Sequence, residues 1–511
     1  MKLKNMILII PLITLSGFSF AQGELDVYRF SNQRNLGTAF SAGMAGATGS
    51  VGSDATSFSV NPAALSLYRF SEFTAGIFIN QFAAENMYIG QETRSKRGSF
   101  NLSNLSFVNT NILFDRGREP SDEMVSYGFG FSYQRLAEFN RSIEFRGQNK
   151  RSSIVDDFWE QAQGYYIEDL PVIPYMAYLN YLLDEGNGSS EWIDIFPDFE
   201  RSSIQTISRE ESGGMGEFSA SGAMNYGNFI HLGIGLQYVR VRHNWVSIIN
   251  ELNDFFDETY DELEFLTDNQ TRGGGFGIKL GAIVRPNDRF RLGYSFHSPI
   301  RLNLKDEFFY ELYTRYHPES PMGGGAFLDF FQREPPLGNN IFESDRYLSE
   351  YTVVTPARNV FSASFVDGSF GLISADLEFV SYSNMNLAFD GVKDFRTNNL
   401  IQSSFRTATN LRIGTEILGD RDLRYRFGTS FIQNPISSSH SDFENFTSTW
   451  LFSGGIGLRK PKYSIDFAVN HVRNTEGYAP YYVNDDVLDY YVARNILRNN
   501  FFVITAAFVI E

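Results

Sequence analysis

Lys279, Arg291, Arg412, Arg424 and Arg426 each fall on the small or polar side of a segment whose other side is large and apolar. A cation in such a place can meet a ligand carboxylate through charge-assisted hydrogen bonds. It can equally be neutralised by Asp376, Glu378, Glu416 or Asp466, which are expected on the same inward side. Other chemistry is poorly provided for. The chain has no cysteine, which removes thiol nucleophiles, thiolate zinc sites and disulfides. Its 6 histidines are scattered, and no G-x-S-x-G elbow is present. His231 and His297 are expected to face inward, where hydrogen bonding is the more economical role than haem ligation. No enzyme, cofactor or metal site is expected.

The elements that position these residues follow from composition and pattern. The 511 residues carry 43 Lys+Arg against 60 Asp+Glu, a net charge of −17, the wrong sign for a nucleic-acid binder. Aromatics reach 16 %, with 49 Phe, 27 Tyr and 4 Trp, yet mean hydropathy is only −0.24. A helical membrane protein needs several apolar runs of about 20 residues. One such run exists, Met6 to Phe20, preceded by Lys2 and Lys4 and followed by Ser19-Phe20-Ala21. That layout predicts a secretory signal peptide over 1–21.

Beyond residue 70 the chain alternates at period two, the pattern of strands with unlike faces. Tyr127, Phe129, Phe131 and Tyr133 alternate with Gly128, Gly130, Ser132 and Gln134; Phe502, Ile504, Ala506, Phe508 and Ile510 do the same near the end. Alternation alone does not separate a soluble sandwich from a barrel in lipid. The connections do. Fourteen strands are expected, starting near residues 72, 102, 124, 214, 229, 273, 289, 352, 370, 404, 422, 446, 463 and 499. Short connections (114–123, 225–228, 286–288, 367–369, 419–421, 460–462) alternate with long ones (81–101, 137–213, 244–272, 303–351, 384–403, 435–445, 472–498). An even strand count with loops sorted by length is how outer-membrane barrels are built. The expected fold class is therefore all-β, a transmembrane antiparallel β-barrel of about 14 strands spanning 71–511, with a long outer insertion at 137–213. That insertion holds 15 acids and 6 bases, and 244–271 adds eight acids with no Lys or Arg. The acidic rim implies solvated loops, or carboxylates holding divalent ions beside lipopolysaccharide. Two apolar stripes, Ile154-Val155-Phe158-Ala162-Tyr165 and Val172-Ile173-Met176-Leu179-Leu182-Leu183, predict helices inside the insertion, packed on a partner or forming a groove that catches an apolar ligand.

Residues 22–70 lack alternation. They contain Arg34-Asn35-Leu36-Gly37, glycines at 43, 46, 49 and 52, Asp54-Ala55-Thr56, and Asn61-Pro62-Ala63-Ala64-Leu65. Small residues at that spacing suit close packing in a confined space. The segment resembles the hatch of the FadL family of outer-membrane fatty acid and hydrocarbon channels, in the run Gly43-Met44-Ala45-Gly46-Ala47, in Asp54-Ala55-Thr56 and in Asn61-Pro62-Ala63. Gly274 to Pro299, Gly371 to Met385 and Arg426-Phe427-Gly428 resemble later hairpins of that family. Ala45 and Ala64 stand where glycines are expected, and the chain ends in Ile510-Glu511 instead of a terminal Phe.

The resemblance implies a hatch over 22–70 inside the barrel, with Asp54, Asn61, Pro62 and Ala63 at the ligand site. It implies passive uptake of hydrophobic compounds such as long-chain fatty acids across the outer membrane of a Gram-negative bacterium. Capture would occur at the outer loops, and release sideways through a kinked third strand, for which Gly128 and Gly130 are the gate candidates. One of the five cations would meet the headgroup. The partners implied are a hydrophobic small molecule, outer-membrane lipid and lipopolysaccharide, with no nucleic acid, and the chain is expected as a monomer. The alternative is a FadL-like barrel turned to protein secretion or surface attachment.

Overall fold

The computed structural model describes residues 23–113, 123–186, 190–196, 202–253, 260–316, 338–437, 445–481, 483 and 491–510. The expected signal peptide lies outside them. Fourteen strands of the described chain close into an antiparallel barrel. They are β1 Ser71–Tyr88, β2 Gln91–Ile112, β3 Met124–Glu138, β4 Ser203–Tyr226, β5 Ile230–Asn253, β6 Glu262–Val284 and β7 Phe290–His297, then β8 Arg358–Asp367, β9 Gly371–Ser381, β10 Thr407–Leu418, β11 Leu423–Ile432, β12 Thr449–Arg459, β13 Tyr463–Tyr478 and β14 Ala493–Ile510. Each pairs with its neighbour in sequence, and β14 returns to β1 from Ser71↔Ile510 to Met87↔Arg494. Closure joins the first and last strands, which spares the wall the two long edges of an open sheet, whose free N–H and C=O groups lipid cannot satisfy.

The faces divide as the alternation implies. Phe129, Phe131, Ile234, Leu236, Phe276, Leu292, Phe361, Phe452 and Phe508 point outward and are exposed, while Ser132, Gln134, His231 and Gln237 are buried in the lumen. An outward belt of this size around a closed barrel is a membrane surface.

Three sequence-based boundaries are corrected. β1 and β2 do not stop at 81 and start at 102; they run on to a tight turn at Ile89-Gly90. Likewise β5 and β6 fill most of 244–272, and β4 begins at Ser203 instead of 214. Above the belt the ladder persists while the outward side chains turn polar, so the hydropathy signal ends before the strand does. The eighth strand, expected from 352, is broken. Its upper half, Tyr347–Val354, pairs with Arg301–Tyr316, and Pro356 separates it from β8. Pro299 makes the matching corner after β7, where a missing donor ends pairing.

The insertion forms a cap. Helix α4 (Ile154–Ala162) starts at a capping box between Ser153 and Asp156, and α5 (Val172–Leu179) follows Pro171. Ile154, Val155, Phe158, Ala162, Met176, Leu182 and Leu183 pack with Ile207, Ile249, Leu263, Phe265, Leu312 and Tyr316 of the barrel rim. The stripes thus cover the mouth and are consumed by packing. Among the described residues no three carboxylates or histidines come together as a metal site.

Burial pushes Asp157 on α4 from 3.8 up to about 7; Gln161 opposes this, and Glu160 and Asp156 add to it. A carboxyl raised by folding contributes stability that is complete below its unfolded pKa and lost as pH rises through the folded value. The cap should therefore loosen between pH 4 and 7. Amide exchange over 154–162, corrected for intrinsic rates, should be faster at pH 8 than at pH 5, and Asp157→Asn should flatten the difference.

Candidate functional site

The segment before β1 fills the lumen. Helix α1 spans Glu24–Ser31, α2 Ala39–Gly43 and α3 Ala55–Val60, and a 3-10 helix runs from Pro62 to Leu67. Short helices need their ends satisfied, and the sequence supplies the groups. Thr38 accepts from the Ser41 N–H at 3.1 Å and donates to Asp54 at 2.6 Å. Asp54 caps α3 by accepting from the N–H groups of Thr56 and Ser57 at 2.9 and 3.2 Å. Asn61 accepts from the Ala63 N–H at 3.1 Å and donates to Gly49 O at 2.9 Å. Pro62 opens the 3-10 helix, where no donor is needed. Ala45 sits at φ +53°, a left-handed conformation that favours the glycine expected there.

The barrel's inward glycines admit this backbone. A side chain on Gly281 would meet Asn61 Oδ1 at 2.1 Å, and one on Gly233 would meet Ala63 N at 2.4 Å. Two histidines clamp the same stretch: His231 Nδ1 lies 2.7 Å from Ser66 Oγ, and His297 Nε2 lies 2.7 Å from Val60 O.

The five expected cations separate. Lys279 meets Glu217 at 2.6 Å and donates to Ser59 O at 2.7 Å. Arg412 meets Glu378 at 2.6 Å. Arg426 is fully buried between Glu416 and Asp466, at 2.7 and 2.6 Å, and lies over the Phe40 ring at 4.6 Å. Arg291 donates to Val51 O, and Arg424 to Leu423 O at 3.0 Å. Arg358, which the sequence reading passed over, is the second partner of Glu378, at 3.2 Å, and holds the end of α1 by donating to Ser31 O at 2.6 Å.

Gly128 and Gly130 lie inside an unbroken stretch of the β2–β3 ladder, opposite Thr110 and Val108. A side chain on either would approach Leu65, and on Gly130 also Phe58, so both clear space for the hatch. The interruption is higher. The β2–β3 ladder ends at Asn104↔Gln134, and the β3–β4 register shifts between Arg135 and Ala137. Above that point the pair Arg141–Asn149 continues along β4, and Gln91–Ser103 of β2 pairs only with β1. Hatch backbone takes up carbonyls of the bulge: Leu36 N–H donates to Arg135 O at 3.0 Å, and Arg34 N–H to Leu136 O at 2.7 Å. Across the seam run side-chain bonds, Ser99 Oγ to Glu138 at 3.0 Å and Ser95 Oγ to Ser142 O at 2.6 Å.

A cavity of about 340 Å³ lies between α1, the hatch and this wall. Leu25, Tyr28, Leu36, Leu136, Phe139 and Leu497 supply apolar lining, and Lys279 and Arg412 reach it. Arg291, Arg424, Arg426 and the hatch residues Asp54, Asn61, Pro62 and Ala63 do not line it. Arg34 does, and its guanidinium donates to Thr449 Oγ1 at 3.0 Å. Among the described cavity cations it is the one with no carboxylate partner. Its place in the Arg34-Asn35-Leu36-Gly37 run was the available signal.

A Pseudomonas aeruginosa FadL homologue has a similar solved structure: TM-score 0.55 at 14 % identity, covering 94 % of this chain and 99 % of that one. The chain carries the FadL-type fold. A TodX monoaromatic hydrocarbon channel variant gives 0.50 at 13 % identity, with 93 % and 99 % covered. The Pseudomonas putida toluene transporter TodX gives 0.49 at 13 %, with 94 % and 99 % covered. No family model matches the sequence, and no curated protein does.

Two outcomes are expected within this FadL-type barrel. Gly281→Val should dislodge the 61–63 turn, raising amide exchange over 54–67 while the barrel keeps its heat-modifiable gel migration. Glu378→Gln leaves Arg358 and Arg412 without their shared carboxylate and should cost about 3 kcal/mol of stability in denaturant unfolding.

Proposed function

We propose that this protein is a passive outer-membrane channel for hydrophobic compounds, which rest in the cavity beside the hatch and leave sideways through the β2–β3 seam. The observation that carries this reading is the continuity of cavity and seam: Leu136 to Asn140 form both the cavity wall and one lip of the interrupted ladder. The names of the FadL homologue and of the TodX hydrocarbon channels support it. A closed, hatch-filled barrel has no reason to relinquish wall pairing unless something apolar passes there, since unpaired backbone in lipid is costly. Long-chain fatty acids are the ligand class that uses every feature, the apolar lining for the chain and Arg34 for the carboxylate.

Because the chain lacks cysteine, a Ser99→Cys/Glu138→Cys pair can be bridged cleanly with a short bis-maleimide. Bridging should abolish uptake of a radiolabelled fatty acid into cells, and either single variant should transport normally after the same treatment. Undiminished uptake through the bridged protein would end the lateral route. Arg34→Gln should weaken binding of a fatty acid about tenfold, the worth of one charge-assisted bond, and leave the matching alcohol unaffected.

A further inference from the structure

The outer surface of the barrel carries a feature that passage through the lumen does not use. On the outward faces of β5, β6 and the Arg301–Tyr316 strand, Arg242 lies directly opposite Arg272, and Arg272 directly opposite Lys305. All three are exposed, as is Arg240 two residues nearer the membrane belt. Lys305 reaches Glu350 at 3.1 Å, and Arg272 donates to Gln270 at 2.9 Å. Arg240 and Arg242 have no side-chain partner among the described residues. Like charges placed opposite one another on paired strands destabilise the sheet. A row of three in a chain of net charge −17 is therefore an arrangement that an anion between them would relieve.

The surroundings indicate which anion. Tyr238 and Phe276, ring centroids 4.9 Å apart, lie on the same faces four residues below Arg242 and Arg272, with Arg240 between. Four residues along a strand is about 13 Å. These rings top an apolar groove of about 450 Å³ on the membrane side of the wall, which continues past Tyr133, Phe218, Phe131 and Phe107. Gly214 and Gly216, opposite Arg242 and Arg240, are covered by the Arg135 guanidinium and the Tyr133 ring, so a further cation flanks the row and the Tyr133 ring joins it to the groove. The cations sit toward the end of the barrel that carries the long connections and the cap, so they belong to the outer-leaflet level. A headgroup with several negative charges would sit on the row, with its acyl tails in the groove.

We propose that this row and groove form a docking site for a phosphorylated glycolipid of the outer leaflet. Its phosphates bridge Arg242, Arg272 and Lys305, and an acyl chain lies along the groove beneath. Charge complementarity selects this occupant over an uncharged hydrocarbon leaving the barrel, which would gain nothing from the cations. The site does not depend on transport, and a barrel that transports nothing could still hold the lipid.

The test is native mass spectrometry of the detergent-purified full chain, titrated with bisphosphorylated lipid A and, separately, with the same lipid after phosphate removal. The wild type should bind the phosphorylated form at least about tenfold more tightly, as expected for the loss of charge-assisted contacts. The R242Q/R272Q/K305Q variant should lose that preference. Equal affinity of the wild type for the two lipids would overturn the proposal, and this comparison needs no variant to fold. Retention of the preference by a correctly folded triple variant would overturn it too. So would displacement of the phosphorylated lipid by toluene or dodecane, which would assign the groove to departing substrate.

Discussion

The rest of the structure depends on where the backbone hydrogen bonds of the wall go. Lipid offers none, so fourteen strands close on themselves, with β14 returning to β1 along nearly its whole length. Among the described residues the β2–β3 ladder stops above Asn104 and Gln134. There the carbonyls of Arg135 and Leu136 turn toward the lumen and accept from Leu36 and Arg34 of the hatch. The hatch is thus part of the wall's hydrogen-bond accounting as well as a filler of the lumen. A change in the position of residues 34–36 would alter the seam directly.

The lumen is held by charges that are almost all spent on one another. Glu378 ties Arg358 to Arg412, Glu217 holds Lys279, and Arg426 joins Glu416 to Asp466. Buried charges of this kind add little net stability against apolar packing, but removing one partner strands the other at a cost of several kcal/mol. They fix one position of the hatch relative to β4–β13, and among the described cations of the cavity they leave Arg34 without a carboxylate. The outside of the barrel treats charge differently, with cations set beside cations at the edge of the apolar belt.

Much of the architecture was legible in the sequence because a barrel in lipid imposes a simple rule at every residue. Phe129, Phe131, Phe276 and Phe508 must face out, and their neighbours must be small or polar. The short inner turns fell where Pro, Asn, Asp and Gly cluster, as at Arg285-Pro286-Asn287-Asp288. The helical stripes of the insertion were equally plain from their spacing. Strand lengths above the belt were not, because β2 and β5 keep their ladder after the outward residues become charged, and alternation of polar with polar leaves no contrast to detect.

Sequence by itself determined the fold class and the strand count, since both rest on local pattern. The caps of the hatch, Asp54 on α3 and Pro62 at the next turn, are equally local but became visible only with the helices they begin. Tertiary structure alone decided which of the described cavity cations stays without a carboxylate, where the third strand leaves its neighbour, and that Gly128 and Gly130 give room to Leu65 and Phe58. Those outcomes depend on residues hundreds of positions apart, Arg34 beside Thr449 and Arg358 beside Ser31, meeting only once the cylinder has closed.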